Sequence, residues 1–390
     1  MAIRHARFVD GVASSLSTVP LTRVPFLDLR PAYAEVQSEI DYAIAGVLES
    51  GRYIGGPEVE LFESEWAQYC GARYCVGVGN GLDALILSLR ACGVGPGDGV
   101  IVPSNTFIAT WLAVSAVGAE VQPVDPDVET FNLTLESIGR AVNERTKAIL
   151  PVHLYGHPVE IDSIAAFAKA HGLLLIEDAA QANGASWKGR RIGGHGDAVC
   201  WSFYPGKNLG GIGDAGAITT NNRELADRVR ELGNYGSKQK YVNRARGINS
   251  RLDPVQAAVL RVKLQYLEEW NQRRRNIAAR YDGVLRGTRL CPPSVLADAL
   301  PVWHLYVVRC GQRDRLQAFL EEQGIGTLIH YPIPPHRQDA YRDLGVSKTI
   351  LPAADELSDR VLSLPMGPHL SLEMVDRVCE ALERWSELDG

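Results

Sequence analysis

Lys207 lies in the run Trp201-Ser-Phe-Tyr-Pro-Gly-Lys-Asn-Leu-Gly-Gly-Ile-Gly-Asp214, downstream of Asp178, which closes the apolar run Leu173-Leu-Leu-Ile-Glu-Asp178. A lysine amine can condense with an aldehyde to form a Schiff base. A carboxylate can hold a pyridine nitrogen protonated, so that the ring draws electrons from a substrate carbon. Together the two groups match what pyridoxal phosphate (PLP) requires of a protein.

Each residue also has a plainer reading. The run ending at Asp178 has the pattern of a buried parallel strand, and ligands of open α/β sheets gather at the carboxyl ends of such strands. An acid there is costly to bury unless a cation meets it; otherwise Asp178 caps the following helix. Gln181, one turn on, either bonds a cofactor oxygen or is an ordinary polar residue at a helix start. Lys207 alone reads as a solvated loop lysine. The flanking Gly206, Gly210, Gly211 and Gly213 let the loop bend close to a flat ring, and Ser202 can bond a phosphate.

Cys75-Val-Gly-Val-Gly-Asn-Gly-Leu-Asp-Ala-Leu85 reads as strand, glycine turn and helix start. The free amides and positive end of that helix form an anion site at Gly81 and Leu82, unless this is simply a tight turn. The glycine spacing is not GxGxxG, and no acid closes a second strand roughly 20 positions later, which argues against a dinucleotide.

These groups need a large scaffold. The chain has 390 residues, 46% hydrophobic and 22% charged, a balance that excludes disorder and suits a large domain with a smaller partner. Its net charge of −6 and lack of a basic block argue against nucleic acid. No apolar run is long enough to span a membrane, and Met1 to Thr22 lack the pattern of a secretory signal. The seven cysteines form no CxxC pair and point to a reducing, cytoplasmic setting, and the nine histidines show no metal-ligand spacing.

Residues 1–23 read as an N-terminal extension, 24–260 as a large α/β domain, and 261–390 as a connecting helix with a small α+β domain. The large domain should carry seven strands, at Cys75–Val78, Val100–Val102, Glu120–Val124, Ala148–Leu154, Leu173–Glu177, Ala198–Phe203 and Gly216–Thr219. Pro254 to Leu285 reads as one long helix, and Val302–Arg309 and Gly326–His330 as strands of the small domain. His153 and His304 read as structural histidines beside strands.

Asp178-Ala-Ala-Gln-Ala182, Ser202-Phe-Tyr-Pro-Gly-Lys-Asn-Leu-Gly210, Gly213-Asp-Ala-Gly-Ala217 and Gly247-Ile-Asn-Ser-Arg-Leu252 resemble the DegT/DnrJ/EryC1/StrS family of PLP-dependent nucleotide-sugar aminotransferases. Tyr53-Ile-Gly-Gly, Pro103-Ser-Asn-Thr-Phe107, Val152-His-Leu-Tyr-Gly156 and His330-Tyr-Pro extend the likeness from about Val24 to the C-terminus.

The resemblance implies an aspartate aminotransferase fold (PLP fold type I) whose mostly parallel sheet carries the site. Lys207 would bind the cofactor covalently and shuttle the proton. Asp178 would pair with the ring nitrogen, Gln181 with the ring oxygen, and Phe107 would stack on the ring. Gly81, Leu82 and Ser202 would hold the phosphate, joined by Asn249 from the other subunit of a homodimer. Arg251 would assist with substrate or donor carboxylate, and Tyr241, His330 and Tyr331 are either sugar-nucleotide contacts or packing residues. The family commonly has Gly-Asp-Gly-Gly where Gly213-Asp-Ala-Gly216 stands, and His where Asn183 stands; Asn183 would then alter a contact beside the substrate. Lys207, where some members carry His and dehydrate instead, implies ping-pong transamination from L-glutamate. The acceptor implied is C3 of a dTDP-3-keto-6-deoxyhexose, with C4 of a 4-keto sugar as the alternative and a PLP lyase as a remoter one.

Overall fold

The computed structural model describes residues 23–344 and 350–388, so the expected N-terminal extension lies outside the described residues except for Arg23. Seven strands form one sheet: β1 (Tyr74–Val78), β2 (Gly99–Pro103), β3 (Glu120–Val124), β4 (Thr146–Ile149), β5 (Leu174–Asp178), β6 (Ala198–Ser202) and β7 (Gly216–Thr220). Their order is β1-β7-β6-β5-β4-β2-β3, and β7 alone runs against its neighbours. This is the large, mostly parallel α/β domain that the strand pattern predicts.

Both faces of the sheet are covered, which explains the nearly all-apolar strands. Successive side chains of β6 alternate: Val199 and Trp201 join one core with Phe62, Trp66 and Phe203, while Ala198 and Cys200 join the other with Leu87, Val100 and Trp111. A third core, built from Tyr281, Tyr306, Leu316, Leu362 and Leu382, lies in the C-terminal region. There β8 (Tyr306–Arg309) pairs antiparallel with β9 (Val361–Leu364), and Val24 joins through a bridge to Ile325.

Four expected elements differ. The strand predicted over Ala148–Leu154 ends at Ile149, because Pro151 has no N–H to continue the ladder. Gly326–His330 makes only an isolated bridge, Leu328 to Ser363, and Val302–Arg309 shortens to β8, with Trp303 at a positive φ of 49°. The single long helix is two, Pro254–Leu264 and Leu267–Leu285, joined through Gln265 and Tyr266. No proline or glycine marks that joint. Past it the chain passes from the sheet domain's core (Ala257, Leu260, Leu267) to the C-terminal one (Ile277, Tyr281). Four helices recur below: α1 (Gly81–Ala91), α2 (Ala109–Ala116), α3 (Pro254–Leu264) and α4 (Leu267–Leu285).

Candidate active site

Asp178 ends β5 at the carboxyl edge and is 6% exposed. Its Oδ2 accepts from the Thr110 hydroxyl at 2.9 Å and its Oδ1 from the Ala180 amide at 3.1 Å. Burial raises its pKa, opposed by those two bonds and by the charges of Lys207 and His153. Among the described residues no basic side chain bonds it, so the carboxylate suits a cationic ring nitrogen.

Lys207 follows β6 in a loop folded back on itself, its amide donating to the Tyr204 carbonyl at 2.8 Å. Gly210 is required here, since a Cβ would stand 2.3 Å from the Pro205 carbonyl oxygen. Two helices pin the loop. Lys263 of α3 donates to the Gly210 carbonyl at 2.7 Å. The buried Asn208 amide donates at 2.8 Å to Asn271 of α4 and to the Val302 carbonyl. Burial lowers the Lys207 pKa to about 8, with the Asp178 charge opposing. A minority of the amine is therefore neutral near physiological pH, but far more than for an ordinary lysine.

Across from Lys207, Asn80 caps α1 by accepting the Asp83 amide at 2.8 Å. The amides at Gly81 and Leu82 are left free to meet an anion. Gly81 permits a close approach, because a Cβ there would lie 2.8 Å from the Ser202 Cβ. Helix terminus and hydroxyl thus share one cradle. A cavity of ≈ 950 Å³ joins these groups and is lined by Gly81, Leu82, Phe107, Asp178, Gln181, Ser202, Lys207, His330 and Tyr331. The half-exposed Phe107 ring lies 5.5 Å from that of Tyr331, centroid to centroid. Gln181 accepts the Tyr155 amide at 2.5 Å and donates through Nε2 to the Tyr331 hydroxyl at 3.1 Å; a phenolate oxygen needs a donor of this polarity. Cradle, buried acid, flat-faced aromatic and amine fit PLP.

Three expected site residues lie outside this chain's cavity. Asn249, expected to act in a partner's site, is exposed and bridged to Asn234. Arg251 bonds the Asn234 side chain at 3.2 Å, and Tyr241 is 87% exposed beside the hairpin strands Ser237–Gln239 and Val242–Asn243. Asn183 is fully buried and does not line the cavity. The expectation that it changes a contact beside the substrate is therefore corrected: the chain turns inward there, its carbonyl accepting from Asn271 at 3.0 Å.

The sequence reading missed several groups. Thr110 sits one helical turn beyond Phe107, a spacing that could have revealed it. His304, read as structural, lines the cavity and pairs its Nδ1 with the Asn208 side chain at 3.2 Å. Burial holds His304 well below its usual pKa and His330 at about 4, so both are neutral at pH 7. His153 does fit its structural reading, with its Nε2 2.9 Å from Glu177 in full burial. Arg274 of α4 also lines the cavity, and nothing in its Arg-rich surroundings marks it in the sequence.

The sequence profile of the DegT/DnrJ/EryC1/StrS aminotransferase family matches residues 34–383. The chain is 54% identical to the erythromycin biosynthesis sensory transduction protein EryC1 of Saccharopolyspora erythraea, over 92% of this chain and 99% of that one. It is 51% identical to the dTDP-3-amino-3,4,6-trideoxy-alpha-D-glucose transaminase of Streptomyces venezuelae, over 94% and 97%. The crystal structure of S. venezuelae DesV in complex with a ketimine intermediate superposes with a TM-score of 0.92 at 51% identity, covering 94% of this chain and 99% of that one.

Proposed function

The chain belongs to the DegT/DnrJ/EryC1/StrS aminotransferase family, and from that premise we propose that it transfers an amino group from L-glutamate to C3 of a dTDP-3-keto-6-deoxyhexose. The enzyme is a nucleotide-sugar aminotransferase, and its cofactor is PLP. The names of the relatives support the C3 position. The observation that carries the reading is the opening of Lys207, Asp178 and the α1 terminus into one cavity.

When bound, PLP supplies an aldehyde for covalent capture of amines and a ring that accepts electrons from the neighbouring carbon. The chain's own groups do the rest. Asp178 keeps the ring nitrogen protonated, with Thr110 and Ala180 fixing its orientation. Lys207 would anchor the cofactor, and its free Nζ would move the proton from the donor's α-carbon to the former aldehyde carbon. Burial supports this role by favouring the neutral amine. Gly81, Leu82 and Ser202 would hold the phosphate, Phe107 would cover the ring, and Gln181 would donate to its oxygen. His330 and Tyr331 border the sugar.

The working unit is a homodimer, in which Asn249 reaches the partner's phosphate site and Arg251 and Tyr241 reach the partner's substrate. Their position outside this chain's own cavity supports that arrangement, as do the exposed Tyr42, Tyr53 and Ile54. The unpaired cysteines suit the cytoplasm, and no described helix is long and apolar enough to cross a membrane.

The test is incubation with L-glutamate and a panel of 3-keto and 4-keto dTDP-sugars, with the products identified by NMR. A 3-amino product is expected. Amination of 4-keto sugars alone would overturn the C3 position, and no amination at all would overturn the reading.

A further inference from the structure

Among the residues lining the Lys207 cavity, the strongly basic side chains are Lys207 and Arg274. Lys207 is committed to the cofactor, and His304 and His330 are neutral. Within this chain, an amino donor bearing carboxylates therefore has one cation left to meet, Arg251 being assigned to the partner's site. Arg274 is 4% exposed, and its Nη1 donates to three backbone carbonyls, those of Trp303 at 3.1 Å, His304 at 3.3 Å and Met366 at 3.4 Å. Its Nε has no partner and is shut off from solvent. No hydrogen bond from Nη2 and no acidic group beside the guanidinium is found among the described residues.

A buried guanidinium without a counter-ion is unfavourable. Backbone carbonyls offset part of that cost, and they leave unused the Nε–Nη2 edge, which pairs side-on with a carboxylate. We infer that Arg274 is the group that receives a carboxylate of the amino donor, resting on the aminotransferase reading above. Arg251, expected to assist with substrate or donor carboxylate, lies in another cleft of its own chain and is bound to Asn234. Nη2 meets the carboxylate first, and a small swing of the side chain completes the fork through Nε. The pairing also gives the donor a grip on the join between domains: Arg274 sits on α4, and the carbonyls it holds precede β8 and follow β9.

The test separates the two half-reactions by stopped-flow absorbance of the holoenzyme. Mixing with L-glutamate reads donor binding, and mixing the amine-loaded enzyme with keto-sugar reads acceptor binding. R274Q is expected to weaken L-glutamate binding by at least about 30-fold, while acceptor binding and the cofactor band stay within about threefold of wild type. Equal glutamate binding, or equal weakening of both half-reactions, would overturn the inference and leave Arg274 a structural brace. Should R274Q fail to hold cofactor, R274K carries the test. It keeps the charge but loses the fork, so it should weaken glutamate about tenfold and leave the acceptor unchanged; no selective change would sink the idea. A wild-type enzyme inert towards glutamate would count against the aminotransferase reading itself.

Discussion

The hydroxyl of Thr110 lies 2.9 Å from Oδ2 of Asp178, on the opposite side of the carboxylate from the Ala180 amide that meets Oδ1. Each acid oxygen is held by one donor, so the charge is oriented before any cofactor arrives. Burial raises the pKa of this acid, and the two bonds oppose that. D178N preserves the shape and removes the charge. It should cut kcat by about 10²–10³-fold or more while borohydride still labels Lys207. T110V should give a smaller loss. Steady-state rates with peptide mass spectrometry check both, and an unimpaired D178N would remove Asp178 from the mechanism.

Lys207 supplies a pH dependence. Its pKa is lowered to about 8 by burial, and only the neutral amine attacks an aldehyde. The rate at which apoenzyme takes up PLP should therefore rise with pH and level off above about 8, well below the ordinary lysine range. The Asp178 charge raises that pKa, so D178N should move the midpoint downward. Stopped-flow absorbance across pH 6–10 measures it, and an upward shift would contradict the geometry.

The cradle at Gly81 can be closed by one methyl group. A Cβ there would stand 2.8 Å from the Cβ of Ser202, so G81A should raise the PLP Kd at least about tenfold and cost about 1–3 kcal/mol of stability through overpacking. Gly46 has nothing within 4 Å of its Cβ position and lies inside a helix. G46A serves as the control and should be neutral or gain up to about 1 kcal/mol. Fluorescence titration and urea melts compare the two.

A shared site predicts complementation between inactive chains. K207A lacks the amine, and N249A lacks the group proposed to serve the partner. Random re-association of an equal mixture should restore about a quarter of wild-type activity, because half the dimers are hybrids with one complete site. Recovery of no activity while hybrids form would place Asn249 outside the partner's site.

Residue order alone determined the seven-stranded sheet, the acid at the end of β5 and the lysine loop after β6. These are local patterns: strands buried on both faces stay apolar throughout, and glycine marks where the backbone must bend or approach closely. Tertiary packing decided the rest. His304 and Arg274 reach the cavity from the segment before β8 and from α4, and Thr110 of α2 reaches Asp178, elements far apart in the chain. The same packing split Pro254–Leu285 at Tyr266 and turned Asn183 inward, although Gln181, two positions earlier, lines the cavity. Periodicity records which face of an element is buried. Which partner covers that face, and where two cores divide one helix, depends on contacts between residues hundreds of positions apart.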